Sequence, residues 1–271
     1  FWALVTVALL AGGKARFWLL ATAALILPTI VGCHSRAAYI ANVAIAFALA
    51  VVRWRWMLVG FPVAAAAAIL IFPQIASRMG MDLSTSNSAF QQGIDWNEVT
   101  AGRTENIWMP VIPEIEKSLF IGHGRLAIGR TAATFEIARR ERIVPTHPHN
   151  SYLELLLDFG LVGLIIVLLL LASLGWMALQ LFRSKFDDPL VQIAGGIGFV
   201  AIANVMVLGL TSQFFYPKES LMWLYTASAL SVRMWTIQHA RRSAGVEVLE
   251  QMIIEPAGAY GHYHPQPGYN Y

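Results

Sequence analysis

Two histidines separated by one proline stand directly before a long apolar stretch of the chain. His147 and His149 flank Pro148 in "IVPTHPHNSYLELLLDFG", which continues into "LVGLIIVLLLL". An imidazole titrates near neutral pH and can take a proton from a hydroxyl, which is the task of a general base. The alternative interpretation is a histidine that only caps the helix that follows. Spacing alone does not separate the two.

Two arginines could supply positive charge beside such a base. Arg36 follows Ser35 between two apolar segments, where an arginine is costly unless it is paired or lines a wet cavity. Arg103 lies in "AGRTENIW", within the largest polar stretch. Two guanidinium groups on the same side as the histidines would form a bidentate clamp for a diphosphate. The plainer interpretations are snorkelling for Arg36 and a surface salt bridge with Glu105 or a neighbour for Arg103.

The histidine pair is a weak signal for a metal site. Two ligands separated by one proline do not complete a zinc site, and the polar stretch lacks a DxD-like acidic pair. The single cysteine, Cys33, excludes an internal disulfide framework and a multi-cysteine zinc site. We therefore predict no bound metal and no cofactor.

The composition indicates a membrane protein. Hydrophobic residues make up 57% of the chain and charged residues 13%, against about a quarter charged in soluble domains. The net charge of +3 is explained by basic anchors at the membrane surface, so we predict no nucleic-acid partner.

Apolar segments of spanning character recur along the chain and predict an all-α, polytopic integral membrane fold. They run from Phe17 to Cys33, Ala37 to Val52, Met57 to Pro73, Gly160 to Phe182, Leu190 to Leu210 and Leu221 to Trp235. The chain begins at Phe1 inside an apolar stretch too short to span a bilayer, which needs about 20 residues. We therefore expect the C-terminal part of a longer multi-helix protein, with its first helix truncated.

Basic residues in the short connections predict the orientation, because cytoplasmic loops are enriched in lysine and arginine. The connections "GGKAR", "RWRW" and "RSKFDD" and the tail "RMWTIQHARR" are basic and alternate along the chain with the others. The predicted organisation is transmembrane helices over 1–73, a large external loop over 74–150, transmembrane helices over 151–238 and a disordered cytoplasmic tail over 239–271.

The external loop carries signals of structure of its own. Its sequence predicts a helix from about Thr104 to Lys117, a glycine turn at "GHG" and a short helix with a basic end. Asn150 and Ser151 can cap the next helix, whose Glu154 and Asp158 share one face. In the final external connection, Lys218 and Glu219 are only weak candidates for a site.

Four stretches together carry a resemblance to a known family. "SRAAYIA", "GRTENIW", "GHG" and "HPHNSYLELLLDFGLVGL", between about Ser35 and Leu171, resemble the O-antigen ligase and polymerase family of bacterial envelope glycan enzymes. The resemblance implies a metal-independent membrane glycosyltransferase of the bacterial inner membrane, with its site on the periplasmic side. Such an enzyme takes a glycan from an undecaprenyl-diphosphate carrier and joins it to an acceptor hydroxyl of a glycan, lipid or protein, in contact with membrane lipids.

The resemblance also implies roles for individual residues. His149 matches the catalytic histidine of the family, and Arg36 and Arg103 match arginines that hold the diphosphate of the donor. His147 has no equally firm counterpart and is a candidate for substrate binding. An O-antigen ligase, a polysaccharide polymerase and a protein O-oligosaccharyltransferase remain open within this family. A non-enzymatic lipid or polysaccharide transporter or flippase component is the alternative of another class.

Overall fold

The structure, a computed structural model, describes residues 1–33, 35–71, 100, 102–142, 144–184, 189–217 and 221–254. Over these ranges the chain folds into α-helices joined by turns, and the described part contains no strand. Lys218, Glu219 and the tail residues 255–271 lie outside the described residues.

The first apolar segments form four helices: α1 (Trp2–Leu10), α2 (Gly13–Gly32), α3 (Arg36–Val52) and α4 (Met57–Ile71). Ser35 caps α3, because its side chain accepts a hydrogen bond from the backbone N–H of Ala38 at 3.3 Å. The Trp2 indole N–H donates to Asn42 Oδ1 at 2.8 Å and so ties α1 to α3. These contacts leave Arg36 as the first residue of a capped helix.

The described part of the external loop forms a small folded unit. A π-helical turn (Thr104–Trp108) leads into α5 (Met109–Lys117), and a 3₁₀ turn (Ala127–Arg130) precedes α6 (Ala133–Glu141). Both helices predicted in this loop are confirmed. The buried apolar side chains of the unit pack around Leu157 of the following helix, and they are Ile107, Val111, Ile115, Ala127, Ile128, Ala133 and Ile137.

Three long helices complete the fold: α7 (Ser151–Phe182), α8 (Pro189–Leu208) and α9 (Met222–Ile254). α9 differs from the predicted boundary, because residues 239–254 continue the helix instead of beginning a disordered tail. The physical reason is that nine of the sixteen residues in 239–254 are Ala, Arg, Glu, Gln, Leu or Met, which favour helix, and the next proline is Pro256.

The fold class is confirmed as an all-α membrane fold. Among the described residues, α2, α7 and α8 are long and apolar enough to cross a bilayer. α3 and α4 are shorter apolar helices. α9 coincides with the last predicted span but is not among the helices that are both long and apolar enough.

The ends of α3, α7 and α8 meet at one face of the bundle. Arg53, which follows α3, donates to the Phe182 carbonyl at the end of α7 and to Gln192 Oε1 near the start of α8, the latter at 2.6 Å. At the opposite face, the N–H of Ser151 donates to the carbonyl of Gly209 at 2.7 Å. Arg36 therefore begins α3 on the same face as Ser151. The predicted alternation of the connections agrees with this arrangement, and which face is external stays a prediction.

Candidate active site

A break in α7 determines where its first residues lie. Gly160 has φ 64° and ψ −164°, so the helical hydrogen bonds are interrupted there. The residues of the "GHG" turn supply the missing partners. The N–H groups of His123 and Gly124 donate to the carbonyls of Leu157 and Asp158, at 2.9 and 2.7 Å. The backbone groups released by the break are thus satisfied by a second segment of chain.

Two glycines make this contact possible. A Cβ atom on Gly160 would stand 2.3 Å from the Phe120 carbonyl carbon, and one on Gly122 would stand 2.4 Å from that of Asp158. Both glycines also have positive φ, which favours glycine over other residues. "GHG" and "DFGLVGL", two stretches that carry the family resemblance, are therefore the two sides of one close backbone contact.

The break folds the start of α7 over the end of α8. Below it the two helices run antiparallel, with Phe182 against Gly195 and Gly175 against Ile202. In that register Gly209 is level with Leu168, so a straight α7 would carry Ser151 about 25 Å beyond Gly209 at about 1.5 Å per residue. Instead their backbones are hydrogen-bonded. The residues before Ser151 therefore lie at the end of the apolar helix α8, not far above it.

The connection after α8, residues 209–217, is bound to the start of α7. Asn150 caps α7 by accepting from the N–H groups of Tyr152 and Leu153, at 3.0 and 3.2 Å. Ser151 Oγ donates to the Ser212 carbonyl and accepts from the Phe214 N–H, both at 2.6 Å. The predicted cap is confirmed at Asn150, while Ser151 holds the 209–217 connection in place.

His149 is held in a fixed and unusual backbone conformation. Its φ is 54°, in the left-handed region that non-glycine residues rarely adopt. Its N–H donates to His147 Nδ1 at 3.2 Å, and the two rings lie 4.2 Å apart between centroids. The carbonyl of the intervening Pro148 accepts from the Trp108 indole N–H at 3.0 Å. Strained conformations that the surroundings hold in place are common at functional sites.

Arg103 and His149 come together in the structure. Burial lowers the pKa of His149, and the positive charge of Arg103 lowers it further. Arg103 is anchored from the other side, because its Nη1 donates to the Thr211 carbonyl at 3.0 Å. Both effects favour the neutral form of the half-buried imidazole over the charged form, and the neutral form is the one that a general base requires.

The other predicted site residues have different outcomes. His147 contacts His149 directly. Arg36 lies on the same face of the bundle at the start of α3, and its part in a shared clamp stays a prediction. In the described part of the chain, no three His, Cys, Asp or Glu side chains cluster in a way that could hold a metal ion.

The sequence did not indicate a buried polar junction around Asp158. Its carboxylate accepts from the N–H groups of Leu126 and Ala127, at 3.0 and 2.9 Å, and from the Tyr216 hydroxyl at 2.6 Å. Burial and the bond to Asp158 raise the pKa of Tyr216. One turn earlier, Gln213 donates to Glu154. The sequence placed both carboxylates on one helix face, but their partners are too distant along the chain for spacing to find.

The fold and the site define a helical membrane protein whose polar loops converge on a half-buried histidine beside an arginine, at the end of the apolar helices. The family model described as O-antigen ligase matches residues 21–168, more than half of the 271 residues, and the chain belongs to this family. The family is one of membrane glycosyltransferases of the ligase and polymerase type. No curated protein and no solved structure matches the chain significantly.

Proposed function

We propose that the protein transfers a glycan from an undecaprenyl-diphosphate carrier to an acceptor hydroxyl at the periplasmic face of the bacterial inner membrane. Membership of the O-antigen ligase family supports the general reaction. The observation that carries the proposal is the half-buried His149, whose pKa is lowered by burial and by Arg103.

His149 acts as the general base. Its neutral imidazole accepts the proton of the acceptor hydroxyl as the oxygen attacks the anomeric carbon of the donor sugar. The bond between that carbon and the diphosphate oxygen breaks, and its electron pair leaves with the carrier diphosphate. The hydrogen bonds of Pro148 and His147 hold the backbone of His149, and the His147 ring lies against the imidazole, which supports a site that needs little reorganisation on the way to the transition state.

Arg103 stabilises the leaving diphosphate as negative charge grows on it. A guanidinium binds phosphate oxygens in a bidentate manner, and Arg36, on the same face of the bundle, contributes the second positive charge. Two fixed cations can do the work of a divalent ion in this role, and the proposed mechanism uses no metal. Loss of donor binding in both Arg36→Ala and Arg103→Ala, with partial recovery in the lysine variants, would support the clamp.

The level of the site suits a substrate carried by a lipid. Because α7 folds back at Gly160, His149 lies near the end of the apolar helix α8. Since such a helix spans the hydrocarbon core, we infer for His149 a depth close to that of the lipid phosphates. A site standing far above this level would be out of reach of a diphosphate attached to a membrane-embedded chain.

The decisive experiment compares His149 variants in a reconstituted transfer assay. The full-length protein in proteoliposomes receives carrier-linked glycan together with lipid A core, a second carrier-linked unit or a serine-containing peptide. His149→Asn is the sharper variant, since asparagine tolerates positive φ better than alanine does and keeps the backbone unstrained. We expect it to lose transfer by at least about a hundredfold with donor binding unchanged. His239→Ala, an exposed histidine on α9, is the matched control.

The acceptor that is used distinguishes the alternatives. Product on lipid A core identifies a ligase, product on the carrier-linked unit a polymerase, and product on the peptide a protein glycosyltransferase. Movement of carrier-linked glycan across the bilayer without any transfer would favour the transporter alternative. Full transfer by a well-folded His149→Asn protein would overturn the mechanism.

A further inference from the structure

A cavity of about 370 Å³ lies in the bend of α7, apart from the histidines. Its apolar walls come from both parts of the bent helix and from the connection after α8, and they include Leu155, Phe159, Ile166, Val167, Phe215 and Tyr216. The bend at Gly160 therefore creates this cavity as well as positioning the start of α7.

The cavity is open toward the surface that the bilayer covers. Ile166 forms part of its wall and is 62% exposed, and Ile165 and Leu169 beside it are exposed on the apolar part of the same helix. Apolar side chains exposed on a spanning helix contact lipid chains. A lipid chain can thus enter the cavity sideways from the membrane.

Arg125 lies at the rim of this apolar cavity. Its guanidinium carbon is 5.9 Å from the centroid of the Tyr216 ring, and the ring is fixed because its hydroxyl donates to Asp158. The residues on both sides of Arg125 are also anchored, since the N–H groups of Gly124 and Leu126 donate to Asp158. Arg125 is therefore held at the cavity while its side chain is exposed.

A second cation stands next to Arg125. Nη2 of Arg130 donates to the carbonyls of His123 and Arg125, which keeps both arginines on the same turn. Among the residues that the structure describes, the ion pairs join Lys117, Arg139 and Arg140 to glutamates, and Arg125 and Arg130 take part in none. Nη2 of Arg130 is used by the two carbonyls, so the donors available for an anionic group are the guanidinium of Arg125 and Nε and Nη1 of Arg130.

We propose that this cavity binds an anionic glycerophospholipid, with one acyl chain between the two parts of α7 and the headgroup phosphate at Arg125 and Arg130. An apolar cavity with a few charged groups at its edge recognises an amphiphile, and arginine pairs well with phosphate. About 370 Å³ is enough for a segment of one acyl chain and too small for a whole undecaprenyl chain. The bound lipid packs against the connection that also contacts Arg103, and so supports the site from the membrane side.

The test is a lipid titration of the full-length protein followed by native mass spectrometry. Phosphatidylglycerol is the probe, and diacylglycerol, with the same chains but no phosphate, is its neutral match. We expect one phosphatidylglycerol to bind at least ten times more tightly than diacylglycerol. Arg125→Gln should remove about tenfold of this preference, because it deletes a charge-assisted contact with phosphate. Arg139→Gln, on the exposed surface of α6, should change nothing.

A second pair of variants tests the chain-binding part of the cavity. Val167→Trp fills the cavity and should weaken the binding of both lipids by about tenfold. Ile165 is two residues away and outside the lining, so Ile165→Trp should leave the affinity for both lipids unchanged. Wild-type affinity for phosphatidylglycerol in Arg125→Gln and Val167→Trp would overturn the proposal. The proposal would also be overturned if the protein bound undecaprenyl phosphate in place of phosphatidylglycerol and this binding were weakened in Arg125→Gln and Val167→Trp. That result would assign the cavity to the carrier lipid. No outcome depends on transfer activity, so the proposed function is tested separately.

Discussion

The guanidinium of Arg103 lowers the pKa of the His149 imidazole while donating a hydrogen bond to the Thr211 carbonyl. One side chain therefore links the turn before α5, the loop before α7 and the connection after α8. Since each of these segments is also held by its own backbone contacts, the positive charge beside the histidine is fixed in place.

This relationship predicts how the rate of transfer depends on pH. If neutral His149 is the base, the rate rises with pH through the pKa of His149, which lies below its usual value of about 6.5. Arg103→Gln removes one of the two causes that lower the pKa of His149 and leaves the other, burial. The acid limb of the pH–rate profile should therefore shift to higher pH. The measurement is the rate of transfer between about pH 4.5 and 8.5, two units on either side of 6.5, for wild type and variant. An unshifted acid limb in Arg103→Gln would contradict the coupling.

His147 should act on catalysis through the orientation of His149. Its Nδ1 accepts the N–H of His149, so His147→Ala removes a hydrogen bond worth about 1 kcal/mol, or roughly fivefold in rate. His147→Asn offers a side-chain oxygen to the same N–H and should recover part of the rate. We expect the loss to fall on kcat with donor affinity unchanged. Complete loss in His147→Ala with wild-type activity in His149→Asn would make His147 the base.

Gly160 should tolerate no side chain. Gly160→Ala places a Cβ 2.3 Å from the Phe120 carbonyl carbon at a positive φ, and we expect a loss of more than about 3 kcal/mol of stability. Gly129→Ala is the control, because the added Cβ meets no atom within 4 Å. Thermal unfolding of the two variants in detergent, followed by circular dichroism, measures the difference. Equal midpoints for both variants would mean that the backbone contact can open at little cost.

The buried junction at Asp158 should be a source of stability. Asp158→Ala leaves the buried N–H of Ala127 and the partly buried N–H of Leu126 without their acceptor, and an unsatisfied donor costs about 1 to 3 kcal/mol when it is fully buried. Tyr216→Phe removes a single hydroxyl and keeps the ring, so its cost should be smaller, about 1 kcal/mol. A double-mutant cycle on unfolding midpoints should give a coupling between Asp158 and Tyr216. Strictly additive effects would show that the hydroxyl bond contributes nothing.

The predicted orientation can be tested with cysteines in a Cys33→Ser background. The side chain of Arg139 is 78% exposed on α6. The cysteine of an Arg139→Cys variant should therefore react with an impermeant thiol reagent in intact spheroplasts. Ser243 is exposed on α9, and the cysteine of a Ser243→Cys variant should react only after the spheroplasts are lysed. The reverse labelling pattern would show that the protein has the opposite orientation in the membrane, with the histidines on the cytoplasmic side.

The amino-acid sequence by itself determined the membrane class, the positions of the helices and the residue types at the candidate site. Apolar runs, prolines and capping residues such as Ser35 and Asn150 act over a few neighbouring positions, so their structural consequences can be predicted from local patterns. The end of α9 was missed because helix propensity beyond the apolar segment is a weak signal.

Only the tertiary structure decided how these parts meet. The positive φ of His149, its proximity to Arg103 and the bonds from Tyr216 and residues 126–127 to Asp158 join segments that are far apart in sequence. Such contacts depend on the direction that α7 takes at Gly160. That direction exists only because the "GHG" turn supplies hydrogen bonds to the broken helix, and no spacing within either segment specifies the other as its partner.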